Sequence, residues 1–434
     1  MATARDGGSW GRAAALAAVV ASSVVLGGCT YEPGPDLTEP AAPTSTPPTS
    51  THPSATPPPP SGTPSTAVQP PSIPAPELKA ELEQYSRELI DAGAPAVLLE
   101  LHVGAEMWTH AAGVRNSAGE AAHVTNPVHA GDITQTLVAV SVLKLAEEGR
   151  LSLDEPASTY LPELQSLLHE PGPNTVRELL GHTSGMPDYY GPLLDSVPPR
   201  QALATLLSPE QKLAVAATVP RQQPRAQGFS YSYSNYIALG LIVERVRGLP
   251  LAEVLRADII QPLGLAGTKL TDDGPMPEGM LHGYALTDGE SVDTAFAALH
   301  SGSAATGLVS TVADLNTFFD ALLDGRLVGR GLVAEMQPPV AAEYGLGLYQ
   351  WNDACTNGFY NGYVGDVPGY GTVAMASADG RRRLALAVAY PPSPWPASPG
   401  TPGTAATLRG MTDLAKDVLN RSCRLGDVSF GAGR

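Results

Sequence analysis

Short apolar runs that are typical of β-strands occur near both ends of the globular part of the chain. These runs cover residues 96–103, 107–112, 344–350, 372–378 and 384–390. Apolar residues at helical spacing predict amphipathic helices over residues 76–92 and 404–420. Because the intervening sequence is mostly helical, the two ends must meet in one sheet that carries a helical insert. The sequence therefore predicts one α/β domain over residues 77–425, followed by a tail over 426–434.

The first 28 residues have the pattern of an export signal. Arg5 and Arg12 precede an apolar run over residues 13–26, which is too short to span a bilayer as a mature helix. The run ends in Leu-Gly-Gly-Cys, similar to the bacterial lipobox, which makes Cys29 the predicted lipidation site. The alternative is an ordinary leader followed by a chance cysteine.

Residues 29–76 are rich in proline, threonine and serine and contain few large apolar side chains. Such a segment cannot offset its ordering entropy by burial, so we expect a disordered tether. An extended proline-rich chain rises about 3.1 Å per residue, which gives a reach on the order of 100 Å. The leader and tether together predict an exported protein, anchored in the membrane through lipid on Cys29, at the outer face of the cytoplasmic membrane or in the cell envelope.

The sequence contains three cysteines. With Cys29 assigned to lipid, Cys355 and Cys423 remain in an exported, oxidising compartment, which favours a disulfide between them. Two buried free thiols are the alternative. The net charge of −17, without a cluster of lysine and arginine, argues against nucleic acid as a partner.

Several motifs resemble those of one family in the same order along the chain. They are Gly-Asp-Ile-Thr-Gln-Thr at 131–136, Leu-Leu-Gly-His-Thr-Ser-Gly-Met-Pro-Asp-Tyr at 179–189, Phe-Ser-Tyr-Ser at 229–232, Gln-Pro-Leu-Gly-Leu at 261–265 and Gly-Leu-Val-Ser-Thr-Val-Ala-Asp-Leu at 307–315. The family is that of β-lactamase-related serine hydrolases, which includes class C β-lactamases, D-alanyl-D-alanine carboxypeptidases and esterases. The resemblance implies a penicillin-binding, β-lactamase/DD-peptidase-like fold. That fold has an antiparallel sheet flanked by helices, an all-helical subdomain and a site in the cleft between them.

The first motif departs from the family at its two chemical positions. Where the family carries its serine nucleophile and, three residues on, its lysine, this chain has Asp132 and Gln135. An ionised carboxylate is a poor nucleophile, and an amide does not titrate. Asp-x-x-Gln at a helix start also favours a capping box, in which Asp132 caps the helix and Gln135 reaches back. A further alternative is that Asp132 acts as an acid or base.

A literal Ser-x-x-Lys sequence occurs at Ser141 and Lys144. Ser141 lies nine residues of helix beyond Asp132, about 13 Å of rise, so it faces the opposite side. It is also surrounded by valine and leucine in the helix body, which argues against a nucleophile.

The second family motif is Tyr-x-Asn. An ungapped alignment keeps Tyr231 and places Tyr233 where the asparagine would stand. The alternative register, Tyr233 to Asn235, needs a deletion and an insertion within a few residues. The ungapped register leaves Tyr231 as a packing or hydrogen-bonding residue.

The third motif, His-x-Gly or Lys-Thr-Gly on a strand, resembles the segment beginning at Tyr363, with Tyr363 in the place of the basic residue. Gly365 is retained, and Asp366 adds a negative charge nearby. His182 lies in the clearest family segment, where the resemblance gives it a loop-supporting role. The spacing of histidines and cysteines predicts no metal, and no cofactor motif occurs.

Loss of three chemical positions from a preserved frame predicts a catalytically degenerate domain, a pseudoenzyme that binds a cell-wall peptide or a protein partner. The alternative is an active serine hydrolase, a DD-carboxypeptidase, β-lactamase or esterase, with an unorthodox catalytic set. A third hypothesis is non-covalent recognition of peptidoglycan stem peptides, weakened by the acidic cleft. Fold analogy alone does not choose between them.

Overall fold

A six-stranded antiparallel sheet joins the two ends of the domain, with strand order β2-β1-β11-β10-β9-β8. Two three-stranded sheets, β12-β5-β6 and β3-β7-β4, lie outside it. The strands are β1 (Ala96–Val103), β2 (Glu106–Gly113), β3 (Val128–Gly131), β4 (Lys269–Leu270), β5 (Tyr284–Thr287), β6 (Glu290–Asp293), β7 (Leu308–Ser310), β8 (Tyr349–Asp353), β9 (Gly358–Val367), β10 (Tyr370–Ser377), β11 (Arg382–Ala389) and β12 (Ser393–Pro394).

Most of the helices in the described residues lie between β2 and β8. The helices are α1 (Ala75–Asp91), α2 (Thr134–Glu147), α3 (Ala157–Tyr160), α4 (Leu164–Leu167), α5 (Val176–Leu180), α6 (Tyr190–Ser196), α7 (Pro199–Ala204), α8 (Pro209–Ala216), α9 (Tyr233–Arg247), α10 (Leu251–Leu255), α11 (Gln261–Leu263), α12 (Val312–Leu323), α13 (Arg330–Met336) and α14 (Thr404–Arg421). A π-helical turn joins α10 to α11.

The computed structural model describes residues 75–168, 174–221, 228–271, 276–340, 343–396 and 404–423. The predicted leader, the lipidation site at Cys29, nearly all of the tether and the tail at 426–434 lie outside these ranges. Within them, no helix is both long and apolar enough to cross a membrane.

Both faces of the inner strands β1, β10 and β11 are buried, and residue size differs between the two faces. On β11, Leu384, Leu386 and Val388 belong to a core shared with α1 and α14. The intervening alanines 385, 387 and 389 face the main core, which includes α12. Successive side chains on β11 point to opposite faces of the sheet, so the large ones pack against α1 and α14. The small alanines on the other face let α12 approach the sheet closely. This arrangement explains why these strands read as continuous apolar runs.

The predicted sheet built from both chain ends is confirmed, and the predicted terminal helices correspond to α1 and α14. The strand predicted at 344–350 is wrong: Tyr344 forms only an isolated bridge, and β8 begins at Tyr349. The intervening Gly347 has a φ of +76°, which interrupts extended backbone. The full ten-residue length of β9 was not predicted, because its glycines weaken the strand pattern.

A disulfide between Cys355 and Cys423, with Cα atoms 5.3 Å apart, ties the β8–β9 turn to the end of α14. Helix α2 crosses the main core and packs against α9. Its residues from Thr134 to Leu143 are all buried, so it has no solvent face over that length. Its N-terminus is consequently held in a fixed position beside the large sheet.

Candidate functional site

Separate segments of the chain meet at the beginning of α2. Asp132 lies between β3 and α2, Tyr231 stands just before α9, and Tyr363 lies on β9. The structure brings together the positions that the three motifs single out: Asp132, Gln135, Tyr231, Tyr233, Tyr363 and Gly365.

Asp132 is 5% exposed, and each of its carboxylate oxygens has a defined partner. The Tyr231 hydroxyl donates to Oδ1 at 2.8 Å, and the backbone N–H of Asp366 donates to Oδ2 at 2.9 Å. The backbone amide of Asp132 itself also interacts with the carboxylate. The side chain is therefore held by groups from the segment just before α9 and from β9.

The capping-box interpretation of Asp132 and Gln135 is wrong. Helix α2 begins at Thr134 with Ile133 as its N-cap, and the cap makes no side-chain hydrogen bond. Gln135 Nε2 approaches the Asp132 carboxylate at 3.4 Å rather than the backbone N–H that a capping box requires. The two side chains instead form part of a tertiary network.

Two glycines allow β9 to approach Asp132 this closely. Gly131 has a φ of +55°, and a Cβ atom there would lie 3.1 Å from the Asp366 nitrogen. A Cβ atom on Gly365 would lie 2.1 Å from the carbonyl oxygen of Ala130, which a real side chain could not occupy. These glycines position the backbone N–H of Asp366 as a donor to an anion.

Gln135 is fully buried and joins Asp132 to a directional chain of hydrogen bonds. Its Oε1 accepts from the Tyr363 hydroxyl at 2.9 Å and from His182 Nε2 at 3.1 Å. Its Nε2 donates to the Tyr231 oxygen at 2.5 Å, and Tyr231 donates to Asp132. The amide thus uses both its acceptor and its donor inside the site.

His182 supplies the fixed end of this chain. Its Nδ1 accepts from the backbone N–H of Ser232 at 3.3 Å and lies 3.0 Å from Asn235 Nδ2, so Nε2 carries the proton. Burial lowers the pKa of His182 to about 3, which keeps the ring neutral. The predicted supporting role fits this geometry, although sequence reasoning did not place the ring against Gln135.

The structure places Tyr233, rather than Asn235, beside Asp132. The Tyr233 and Tyr231 hydroxyls both act on the Asp132 carboxylate. Asn235 lies behind them, where its Oδ1 accepts from the Ser184 hydroxyl at 2.6 Å. This arrangement corresponds to the ungapped register of the second motif.

The site contains two neighbouring carboxyl groups. Burial raises the pKa of Asp132 to about 6, against the lowering effect of its hydrogen bonds. Burial, and next the charge of Asp132, raise the pKa of Asp366 to about 7. Among the described residues, neither carboxylate takes part in a salt bridge.

Sequence reasoning missed the aromatic residues at the mouth of the site. Tyr190 at the start of α6 and Trp395 beside β12 line a cavity of about 210 Å³ together with Tyr233 and Asp366. Tyr190 follows the segment that carries the family resemblance, and that position was the one available signal. No sequence pattern pointed to Trp395, because its neighbours are mostly prolines and serines.

Ser141 and Lys144 lie away from this site. The buried Ser141 hydroxyl donates to the Leu137 carbonyl of its own helix at 3.2 Å. Lys144 Nζ donates to the Leu327 carbonyl at 3.0 Å. Within the described ranges, no three histidine, cysteine or acidic side chains converge as metal ligands.

Comparison with known proteins gives one consistent result. A family model described as Beta-lactamase matches residues 78–407. A penicillin-binding protein of Bacillus subtilis (strain 168) is 25% identical over 71% of this chain and 69% of its own length. The esterase EstB of Burkholderia gladioli is 30% identical over 44% of this chain and 50% of its own length. Among solved structures, a D-stereospecific amidohydrolase from Streptomyces sp. aligns with a TM-score of 0.64 and 27% identity, covering 72% of this chain and 94% of that one.

Proposed function

This chain belongs to the β-lactamase family, and we propose that it is a catalytically degenerate, cell-surface lipoprotein whose β-lactamase-related domain binds a cell-wall component or a protein partner. The observation that carries the proposal is the position of Asp132. Its Oδ2 accepts a hydrogen bond from the backbone N–H of Asp366. Acyl-transfer enzymes direct backbone N–H groups of this kind at a developing oxyanion. A substrate carbonyl would have to displace a buried carboxylate to reach that donor.

The network also lacks the serine and lysine with which the family activates its nucleophile. Acyl transfer needs a nucleophile beside a group that takes up its proton. Gln135 cannot titrate, and its oxygen already accepts from Tyr363 and His182. The neutral His182 ring uses Nδ1 as an acceptor and Nε2 as a donor toward Gln135. Attack by the Asp132 carboxylate would give an unstable mixed anhydride.

Charge in the cleft supports a changed ligand preference. Asp132 and Asp366 place two carboxyl groups where a substrate carboxylate would approach, and no lysine or arginine is among the described residues that line the cavity. Like charges repel more strongly in a partly desolvated site than in water. A stem peptide ending in a free carboxylate should therefore bind weakly.

Export and anchoring are the parts of this proposal that depend on the sequence alone. The leader, the lipobox ending at Cys29 and the proline-rich tether support a protein displayed on the outer face of the membrane. A tether with that reach would let the domain contact the wall.

Incubation of the purified protein with a penicillin, and separately with a fluorophosphonate, is expected to give no gain in intact mass. The reason is that neither Asp132 nor Gln135 can form a stable adduct with these acylating and phosphonylating reagents. Circular dichroism before and after incubation would show that the protein stays folded. An active serine hydrolase treated in parallel would show that the reagents are competent.

A stoichiometric gain in mass would contradict the proposal and favour the alternative of an active serine hydrolase with unusual catalytic residues. Mapping the modified peptide would then identify the nucleophile. Modification at Ser141 would be abolished in Ser141→Ala, whereas modification near Asp132 would not.

A further inference from the structure

A small cavity opens beside the two carboxyl groups, and aromatic rings form much of its wall. Tyr190, Tyr233 and Trp395 line it, and its volume is about 210 Å³. The rings of Tyr190 and Tyr233 have centroids 5.3 Å apart at an angle of 57°. Tyr190 is in turn hydrogen-bonded to Trp395. The three side chains therefore form one connected aromatic wall.

The same cavity has an acidic side. Asp366 lines it directly, and Asp132 lies just behind, close enough to raise the pKa of Asp366. Aromatic ring faces and carboxylates both attract cations, and cation–π attraction strengthens when water is excluded. Among the residues that the structure describes in this lining, none is basic, so none neutralises this charge.

We propose that this cavity binds an organic ammonium group, with Asp366 as its counter-ion and the rings of Tyr190, Tyr233 and Trp395 around its alkyl chain. The inference rests on the proposed binding function and names the class of ligand for it. Ion pairing with Asp366 would take the form of charge-assisted N–H···O hydrogen bonds.

The remaining walls distinguish an organic cation from a metal ion. Leu194, Val367 and Pro394 also line the cavity. A hard divalent ion needs about six oxygen ligands, which apolar and aromatic walls do not provide. An alkylammonium places its charge on Asp366 and buries its methylene groups against these side chains.

A primary ammonium fits better than a quaternary one. Asp366 is an acceptor, and Thr404 beside it adds a hydroxyl that can accept a further hydrogen bond. A quaternary ammonium has no N–H group for either, so it would depend on the rings alone.

The test is to titrate the purified protein separately with n-butylammonium, choline and butyrate at pH 8 and fixed ionic strength. Ligand-observed NMR measures the binding. We expect saturable binding of n-butylammonium, weaker binding of choline and none of butyrate. Asp366→Asn, which keeps the side-chain shape, should weaken n-butylammonium binding by about tenfold or more. Trp395→Leu should weaken the binding of both n-butylammonium and choline.

Asp195→Asn is the matched control, because Asp195 is an exposed carboxylate on the same helix as Tyr190. It should leave the dissociation constant of n-butylammonium unchanged. Equal binding of butyrate, an equal loss in Asp195→Asn, or no binding of n-butylammonium would overturn the inference. These results would leave the proposed function standing as long as no covalent adduct forms, whereas an adduct would overturn the proposed function itself.

Discussion

Replacing Asp132 with asparagine is expected to raise the free energy of unfolding at pH 8 by roughly 3 kcal/mol, since each pKa unit corresponds to about 1.36 kcal/mol. The pKa of this buried carboxyl rises from an ordinary 3.8 to about 6, chiefly because burial disfavours its charge. At pH 8 the wild-type protein must fold around that charge. Asparagine keeps the shape and one acceptor oxygen for the N–H of Asp366.

The gain should fade as the pH falls. A carboxyl whose pKa is raised in the folded state binds protons more tightly there than in the unfolded chain, so folding becomes more favourable with protonation. For Asp132 this occurs between about pH 6 and 4, the window set by its two pKa values. The advantage of Asp132→Asn should therefore be largest at pH 8 and nearly gone at pH 4.

Comparing the two proteins at each pH removes the titrations that the substitution leaves unchanged. Asp366 is not among them, because the charge of Asp132 helps to raise its pKa, and losing that charge adds to the gain at pH 8. The buried rings of His129, His182 and His300 have lowered pKa values, mainly because of burial. They destabilise the fold as the pH falls below about 6.5, the ordinary value for histidine, but do so in both proteins. Urea unfolding at pH 8, 6 and 4 would measure the difference. Asp195→Asn, at an exposed position, should change stability little at any of these values.

A loss of stability in Asp132→Asn at pH 8 would mean that the carboxylate charge is favoured by its surroundings. In that case its hydrogen bonds with Tyr231 and the N–H of Asp366 would outweigh the cost of burial. A gain in stability, in contrast, fits a cleft that retains two destabilising carboxylates in order to bind a cationic ligand. Sites that bind ligands commonly retain groups that reduce stability.

The sequence was sufficient for the fold because the main signals were local. The continuous apolar runs of β1 and β11 and the helical spacing in α1 and α14 are visible within single segments. Errors occurred where glycine interrupts the pattern. Gly347 ends extended backbone before β8, and β9 contains glycines that are required for close approach rather than for strand formation.

The site was harder to predict because its decisive contacts are long-range. Asp-x-x-Gln satisfies the local pattern of a capping box, and only the tertiary structure shows Asp132 bonded to the N–H of Asp366, 234 residues further along the chain. The same holds for Tyr190 and Trp395, which meet at the cavity although no sequence pattern links them. Family resemblance identified positions, but it could not identify new partners at positions where the residue had changed.

Replacing Gln135 with methionine, a near-isosteric apolar side chain, is expected to lower the free energy of unfolding by about 4 kcal/mol, because each buried polar group left without a partner costs about 1–3 kcal/mol. The His182 Nε2–H and the Tyr363 hydroxyl would lose their shared acceptor, and Tyr231 would lose a donor. Tyr363 can turn toward the Tyr344 hydroxyl, 3.1 Å away, but the His182 ring is fixed by its Nδ1 contacts. Urea unfolding at pH 7 measures the change.

Ser141→Ala is the matched control, because Ser141 is also a buried polar residue of α2. Its hydroxyl only donates an additional hydrogen bond to a carbonyl of its own helix. Its removal should therefore lower the free energy of unfolding by less than about 1 kcal/mol. If Gln135→Met were equally mild, the amide would not be needed to hold His182, Tyr363 and Tyr231 in place. A large loss confined to Gln135→Met would show that a neutral amide is what now holds these side chains together, at the position where the family pattern has a lysine.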